Sequence, residues 1–212
     1  MSSLSAAGNT AERSVSFEKL AGTAAILAGI VHFLYAVSFV IISRSAPETG
    51  VLLSAIFLLT GGLLSMLALN GAYQRLQASD PAFALYALLL TSLGTLGAAI
   101  HGGYDLANLL NPPASAPADL PSQIDPRGLL TFGVMGLGLL VVAWLMGHNE
   151  EFPSGLRYLG YTLAILFLVI YLARLIILNP ANPILLWPVL AAGFVVHPAW
   201  YIWLGLSLQH GK

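Results

Sequence analysis

The sequence predicts an all-α membrane protein, a bundle of six transmembrane helices. Hydrophobic residues make up 58% of the 212 residues and charged residues only 8%, against roughly 45–50% and 25% in a soluble globular domain. Apolar runs of about 20 residues, long enough to cross a hydrocarbon core, recur six times along the chain. The loops between them are short and rich in turn-forming residues, apart from one longer loop between helices 3 and 4.

The chain divides into a polar tail, a transmembrane domain and a short C-terminal tail. We expect residues 1–18 to be disordered and not to form a cleavable signal peptide, because they contain no apolar core. The transmembrane domain covers 19–208, and residues 209–212 follow it. Its spans are expected at about 19–43, 51–72, 82–111, 128–147, 156–178 and 184–208.

The longer loop, residues 112–127, holds five of the twelve prolines, which favours an extended extramembrane segment. It is expected to be a passive spacer or, alternatively, a lid over the end of span three.

Basic residues are distributed unequally between the two membrane faces. With six spans, the N-terminal tail, the loops at 73–81 and 148–155 and the C-terminus share one face. That face carries Arg13, Lys19, Arg75, Arg157 and Lys212, whereas the other carries Arg44, Arg127 and Arg174. Because Lys and Arg favour the cytoplasmic side, we expect both termini in the cytoplasm of a cell whose inner (plasma) membrane holds this multi-pass protein.

Several functional classes lack the residues that they need. The net charge of −1, without any cluster of Lys or Arg, excludes nucleic acid as a partner. The absence of cysteine excludes disulfides, thiolate metal sites and cysteine nucleophiles. No nucleophile-elbow or phosphate-loop motif occurs. We predict no catalytic residue and no metal site. A role other than that of an enzyme is therefore favoured.

A polar face on span three is the main candidate site. Its residues His101, Tyr104, Asp105 and Asn108 follow the spacing i, i+3, i+4 and i+7 and therefore share one side of a helix. Ionisable groups are costly inside a membrane, so such a cluster is a functional-site hypothesis. We expect it to bind a small molecule or a lipid headgroup in a pocket open to the outer face.

Arg174 in span five is the expected partner of this face. It lies at a depth similar to that of Asp105, which predicts an ion pair or a shared hydrogen-bond network between them. Tyr171, three residues earlier on the same side of the helix, is expected to join. Two alternatives stay open: Arg174 extends to the lipid headgroups, or the cluster only clamps helices together.

His32 and His197 are the other intramembrane candidates. Counting residues from the span ends places both near the middle of the membrane, and Pro198 predicts a kink beside His197. One interpretation is a pair of neutral imidazoles, each hydrogen-bonded to a neighbouring helix. The alternative is axial ligation of a b-type haem, which histidines on different helices commonly provide.

The last span ends in the run PAWYIWLG, residues 198–205. Its Trp200, Tyr201 and Trp203, with Trp187 at the other end, predict an interfacial aromatic belt. The run and the six-span layout resemble a broad group of uncharacterised bacterial integral membrane proteins that carry a domain of unknown function. The resemblance implies a prokaryotic inner membrane and no established activity.

Three functions are compatible with the sequence. The first is binding or transport of a small molecule or lipid headgroup at the span-three face, without a cofactor. The second is a membrane redox protein with haem b between His32 and His197. The third is a structural or accessory subunit. Membrane lipids are expected partners in each case, and the chain is compatible with a homo-oligomer or a membrane complex.

Overall fold

The computed structural model describes residues 2–112, 126–177, 179 and 181–210, with the backbone alone for 2–16 and 126. This part of the chain is helical and contains no β-strand. Its α-helices are Ser2–Val37, Ser43–Ser45, Pro47–Leu76, Pro81–Leu110, Pro126–Gly128, Met135–Met146, Ser154–Ile176, Pro183–Ala191 and His197–Gln209. Three π-helical segments, Ser38–Ile42, Leu129–Val134 and Ala192–Val196, continue or interrupt them.

Six continuous helices are long and apolar enough to cross a membrane, which confirms the predicted fold class. We number them α1 to α6, with bounds Phe17–Ser45, Pro47–Leu76, Pro81–Leu110, Leu129–Met146, Ser154–Ile176 and Pro183–Gln209. The sequence locates each of them to within a few residues, because the length of an apolar run fixes a span well.

Two of the six helices begin at an Asx–Pro pair. The Asp80 carboxylate accepts hydrogen bonds from the backbone amides of Ala82 and Phe83 at the start of α3. The Asn182 side chain accepts one from the Ile184 amide at the start of α6. These side chains satisfy amides that have no partner inside the helix, and the following proline has none to satisfy.

The ends of the chain differ in part from the expected tails. The first helix begins at Ser2, so its backbone includes the segment expected to be disordered. Of the side chains described there, that of Glu18 bonds to Arg75. At the other end α6 stops at Gln209 and a turn follows at His210, while residues 211–212 lie outside the described residues. Most of the predicted loop, residues 113–125, also lies outside them.

The helices form a closed ring in which each packs against its neighbours in sequence and α6 returns to α1. Small residues make these contacts close. A side chain at Gly29 of α1 would begin 2.7 Å from the backbone carbonyl oxygen of Pro198 in α6. Since lipid provides no hydrophobic drive for helix association, such close approach is how membrane helices gain packing energy.

A buried arginine closes one end of the bundle. The Arg75 guanidinium donates to Glu18 at 2.8 Å and to the backbone carbonyls of Ser207 and Leu208 at 2.9 Å each. Glu151, in the loop between α4 and α5, lies 3.6 Å from it. We call this the Arg75 end; here the start of α1, the 148–153 loop and the end of α6 meet, as the predicted common face requires.

The opposite end, which we call the Arg127 end, is less regular. All three π-helical segments lie between the middle of the bundle and this end. In α6 the segment ends where the His197 amide bonds to the Ala192 carbonyl, and Pro198 follows with no amide to offer the carbonyl of residue 194. The predicted kink beside His197 therefore takes the form of a widened turn, a feature frequent at functional sites.

Candidate functional site

Two histidines meet in the middle of the bundle. His32 is the sixteenth of the 29 residues of α1, and His197 is the fifteenth of the 27 residues of α6. Because α1 and α6 are neighbours in the ring, equal depth brings the side chains together. The sequence correctly predicts their common level but not their contact.

The two imidazole rings stack face to face. Their centroids are 3.9 Å apart and their planes differ by 25°. Tyr201, one turn after His197, lies 5.2 Å from the His32 ring and 5.1 Å from the His197 ring. Phe167 of α5 meets the edge of His197 at 5.1 Å. These four rings come from three helices. We use the name central cluster for the four rings and Ser65 together.

Three polar atoms of this cluster have no hydrogen-bond partner among the described residues: His32 Nδ1, the Ser65 hydroxyl and the Tyr201 hydroxyl. Each of these side chains is at most 6% exposed. The Ser65 and Tyr201 hydroxyls lie near each other, although the pair does not meet the geometry of a hydrogen bond. A buried polar group without a partner costs about 1–3 kcal/mol, and the cost is not reduced by the surrounding lipid.

The Ser65 hydroxyl, like that of Thr131 in α4, departs from the pattern of most hydroxyls in the spans. The hydroxyls of Thr23, Ser54, Thr60, Thr91, Thr95 and Thr162 each donate to a carbonyl of the preceding turn of their own helix. Such back-bonding is the ordinary way for a hydroxyl to be satisfied in a transmembrane helix. Ser65 leaves this option unused and keeps its hydroxyl at the central cluster.

A small residue makes room for His32. Gly61 lies one turn before Ser65 on α2, and a side chain there would begin 3.0 Å from His32 Nε2. The imidazole therefore fills the place that a larger residue would take. This contact fixes the ring against α2 on one side and against His197 on the other.

The two imidazoles do not fit a shared haem in this arrangement. An axial ligand bonds iron through a lone pair in the plane of its ring, and the macrocycle must lie between the two ligands. Rings stacked at 3.9 Å leave no space for it, and their lone pairs do not point towards a common atom. Among the described residues, no three His, Asp, Glu or Cys side chains form a metal-binding group.

The predicted face on α3 is bound to a different arginine from the one expected. Asp105 Oδ1 is 3.3 Å from Arg127 Nη1, and Asp105 Oδ2 is 3.4 Å from His101 Nε2. The Arg127 guanidinium lies over the Tyr104 ring, 4.9 Å from its centroid, and Asn108 is half-buried one turn further along. The pair joins the end of α3 to the helical turn that precedes α4.

The expected pair of Asp105 with Arg174 is not formed. Arg174 lies over Phe132 of α4, 5.8 Å from the ring centroid, and Tyr171 packs against Gly133. Both therefore contact the π-helical segment of α4 instead of α3. The helical turn Pro126–Gly128 explains the difference, because it brings Arg127 to Asp105 from a stretch assigned to the loop. Whether this face binds a ligand stays a prediction.

Two residues of the aromatic run also lie elsewhere than expected. Trp200 and Tyr201 are completely buried, so they are not part of an interfacial belt, whereas Trp187 and Trp203 are exposed. Gly160 of α5 makes room for Trp200, whose Nε1 lies 2.9 Å from the position of an added side chain. The spacing of His197 and Tyr201, i and i+4, is the signal that could have placed Tyr201 at the site. Nothing in the sequence singles out Ser65.

The pairing of Asp105 can be tested by a double-mutant cycle. We expect Asp105→Asn and Arg127→Gln to show a coupling of about 0.5–1 kcal/mol in the free energy of unfolding, because the two partly buried charges are in contact. Asp105→Asn and Arg174→Gln should be additive. The measurement is unfolding of the purified protein by titrating SDS into a mild detergent. Coupling to Arg174 without coupling to Arg127 would contradict the observed pairing.

Comparisons with protein-family models, with curated proteins and with solved structures find no match for this chain. The resemblance to uncharacterised six-span bacterial proteins stays a prediction. The six apolar spans make the chain an integral membrane protein, and the central cluster is its main candidate site.

Proposed function

We propose that this integral membrane protein binds a small, uncharged molecule at the central cluster, as a carrier or a receptor. The observation that carries the proposal is the convergence of three unpaired polar atoms, from His32, Ser65 and Tyr201, in the middle of the membrane. A fold gains nothing in stability from leaving such groups unpaired. A bound molecule that completes their hydrogen bonds would offset this cost.

The surroundings favour an uncharged ligand. None of the described Asp, Glu, Lys or Arg residues forms an ion pair or hydrogen bond with the cluster. A charged ligand would enter a low-dielectric region without a counter-charge, which is strongly unfavourable. The rings of His32, His197, Phe167 and Tyr201 offer an apolar, polarisable wall for a compact molecule.

The outer polar face has a supporting role in this proposal. Asp105 is already compensated by Arg127 and His101, so the group has less need of a ligand than the central cluster. It serves as a clamp on α3 and α4. This departs from the expectation that the span-three face is the primary binding site.

We further propose that the protein lies in the plasma membrane with the Arg75 end in the cytoplasm. Five of the eight basic residues flank that side. Because the chain has no cysteine, single cysteines report topology cleanly. In intact cells, a membrane-impermeant maleimide should label Asn179→Cys and leave His210→Cys unlabelled until the cells are opened. The reverse labelling would invert the orientation.

Replacing Tyr201 by Phe separates a binding role from a packing role. We expect Tyr201→Phe to melt at or above the temperature of the wild type, because it removes an unpaired buried hydroxyl and keeps the ring. The amount of any small molecule that co-purifies with the wild type should fall about tenfold, as for the loss of one good hydrogen bond. Melting of the protein in nanodiscs and mass spectrometry of extracted compounds measure the two effects.

Tyr86→Phe is the matched control, since Tyr86 lies on the exposed side of α3 and loses the same hydroxyl. It should leave both the melting temperature and the co-purified compounds unchanged. If Tyr201→Phe lowers the melting temperature and leaves the compounds as in the wild type, the cluster is a packing group and the proposal fails.

A further inference from the structure

The seam between α1 and α6 brings the central cluster close to the lipid. Phe33 follows His32, and Phe194 lies one turn before His197; their rings meet edge to face at 6.1 Å. Phe33 is 42% exposed although it lies mid-span, so its outer side faces hydrocarbon. This aromatic pair therefore lies on the lipid side of the seam, beside His32 in sequence and one turn from His197.

The backbone of α6 is irregular at this seam. Phe194 belongs to the π-helical segment Ala192–Val196. Gly193 of the same segment packs closely on α1, because an added side chain there would begin 3.2 Å from the Ala36 methyl group. His197 is partly exposed, whereas His32 behind it is buried. The irregular turn and the partly exposed His197 make this seam the candidate route from the bilayer to the imidazoles.

The Arg75 end is tied more firmly across α1 and α6. There Arg75 ties the start of α1 to the last carbonyls of α6 by charge-assisted hydrogen bonds. The irregular turns all lie on the other side of the cluster. Entry through the side of the bundle, in its Arg127 half, avoids these charge-assisted contacts.

The polar atoms of the cluster determine which class of ligand it can bind. The hydroxyls of Ser65 and Tyr201 can both donate, and His32 Nδ1 donates in one tautomer. When all three donate, they suit a flat molecule that carries acceptor oxygens. A molecule arriving from the hydrocarbon must also be neutral and lipid-soluble.

We propose that Phe33 and Phe194 form a lateral portal through which a membrane-dissolved, neutral ring compound with carbonyl oxygens reaches the central cluster. This inference rests on the proposed function and adds the class of ligand and its route. A short-chain benzoquinone such as decylubiquinone has this chemistry: two carbonyl acceptors on a flat ring and an apolar tail. The proposal concerns binding alone.

Tryptophan fluorescence provides a direct test. Trp200 packs against Tyr201 with ring centroids 5.0 Å apart, and replacing the other three tryptophans, Trp144, Trp187 and Trp203, by Phe leaves it as the only indole. In nanodiscs, decylubiquinone should quench Trp200 saturably. Tyr201→Phe should weaken the apparent affinity about tenfold.

The rate at which quenching begins tests the portal. In stopped-flow mixing, Phe33→Ala and Phe194→Ala should each speed the onset of quenching several-fold, while Phe39→Ala should not. Phe39 is the matched control because it is a lipid-exposed phenylalanine of α1 that stacks on Tyr35 and not on Phe194. Phe33→Leu and Phe194→Leu, which keep most of the apolar bulk, should give smaller increases and guard against loss of folding.

The outcomes separate the two proposals. Saturable quenching with equal rates in all the phenylalanine variants would overturn the portal. Absence of saturable quenching would overturn the ligand class; if a compound is still retained through Tyr201, the binding function itself would stand. Quenching that is unchanged in both Tyr201→Phe and His32→Phe would remove the central cluster as the site.

Discussion

The contact between α1 and α6 is the constraint on which the rest of the structure depends. At Gly29 the two backbones come within reach of each other, with the Pro198 carbonyl against α1. One turn along α1 from this contact, His32 meets His197 across the same interface. Because helices in lipid associate through packing and not through the hydrophobic effect, a larger residue at Gly29 would separate the imidazoles as well as the helices.

The two ends of the bundle are held together by different contacts. At one end Arg75 gathers three segments of the chain around a single guanidinium. Towards the other end, π-helical turns interrupt α1, α4 and α6, and the pair of Asp105 with Arg127 joins α3 to the turn before α4. The central cluster lies between these two ends. Its unpaired polar atoms raise the free energy of the folded protein, and a ligand that forms hydrogen bonds with them would lower it.

Hydropathy and length predicted the six spans and the common depth of His32 and His197, because both depend only on position along the chain. The partners across helices were harder to predict. Depth alone favoured Arg174 for Asp105, but Arg127 reaches it because the helix before α4 begins at Pro126. Tyr201 was assigned to an aromatic belt since composition does not reveal which side of a helix faces inward, and only the packing of α5 and α6 turns it to the centre.

The stacking of His32 on His197 is the central claim, and solid-state NMR of the protein in lipid bilayers tests it directly. With ¹³C- and ¹⁵N-labelled histidine, only the five histidines contribute ring signals. Rings with centroids 3.9 Å apart should give a strong carbon–carbon cross peak that disappears in His32→Ala and, separately, in His197→Ala. If no ring-to-ring cross peak depends on both residues, α1 and α6 do not meet as described and the binding centre does not exist.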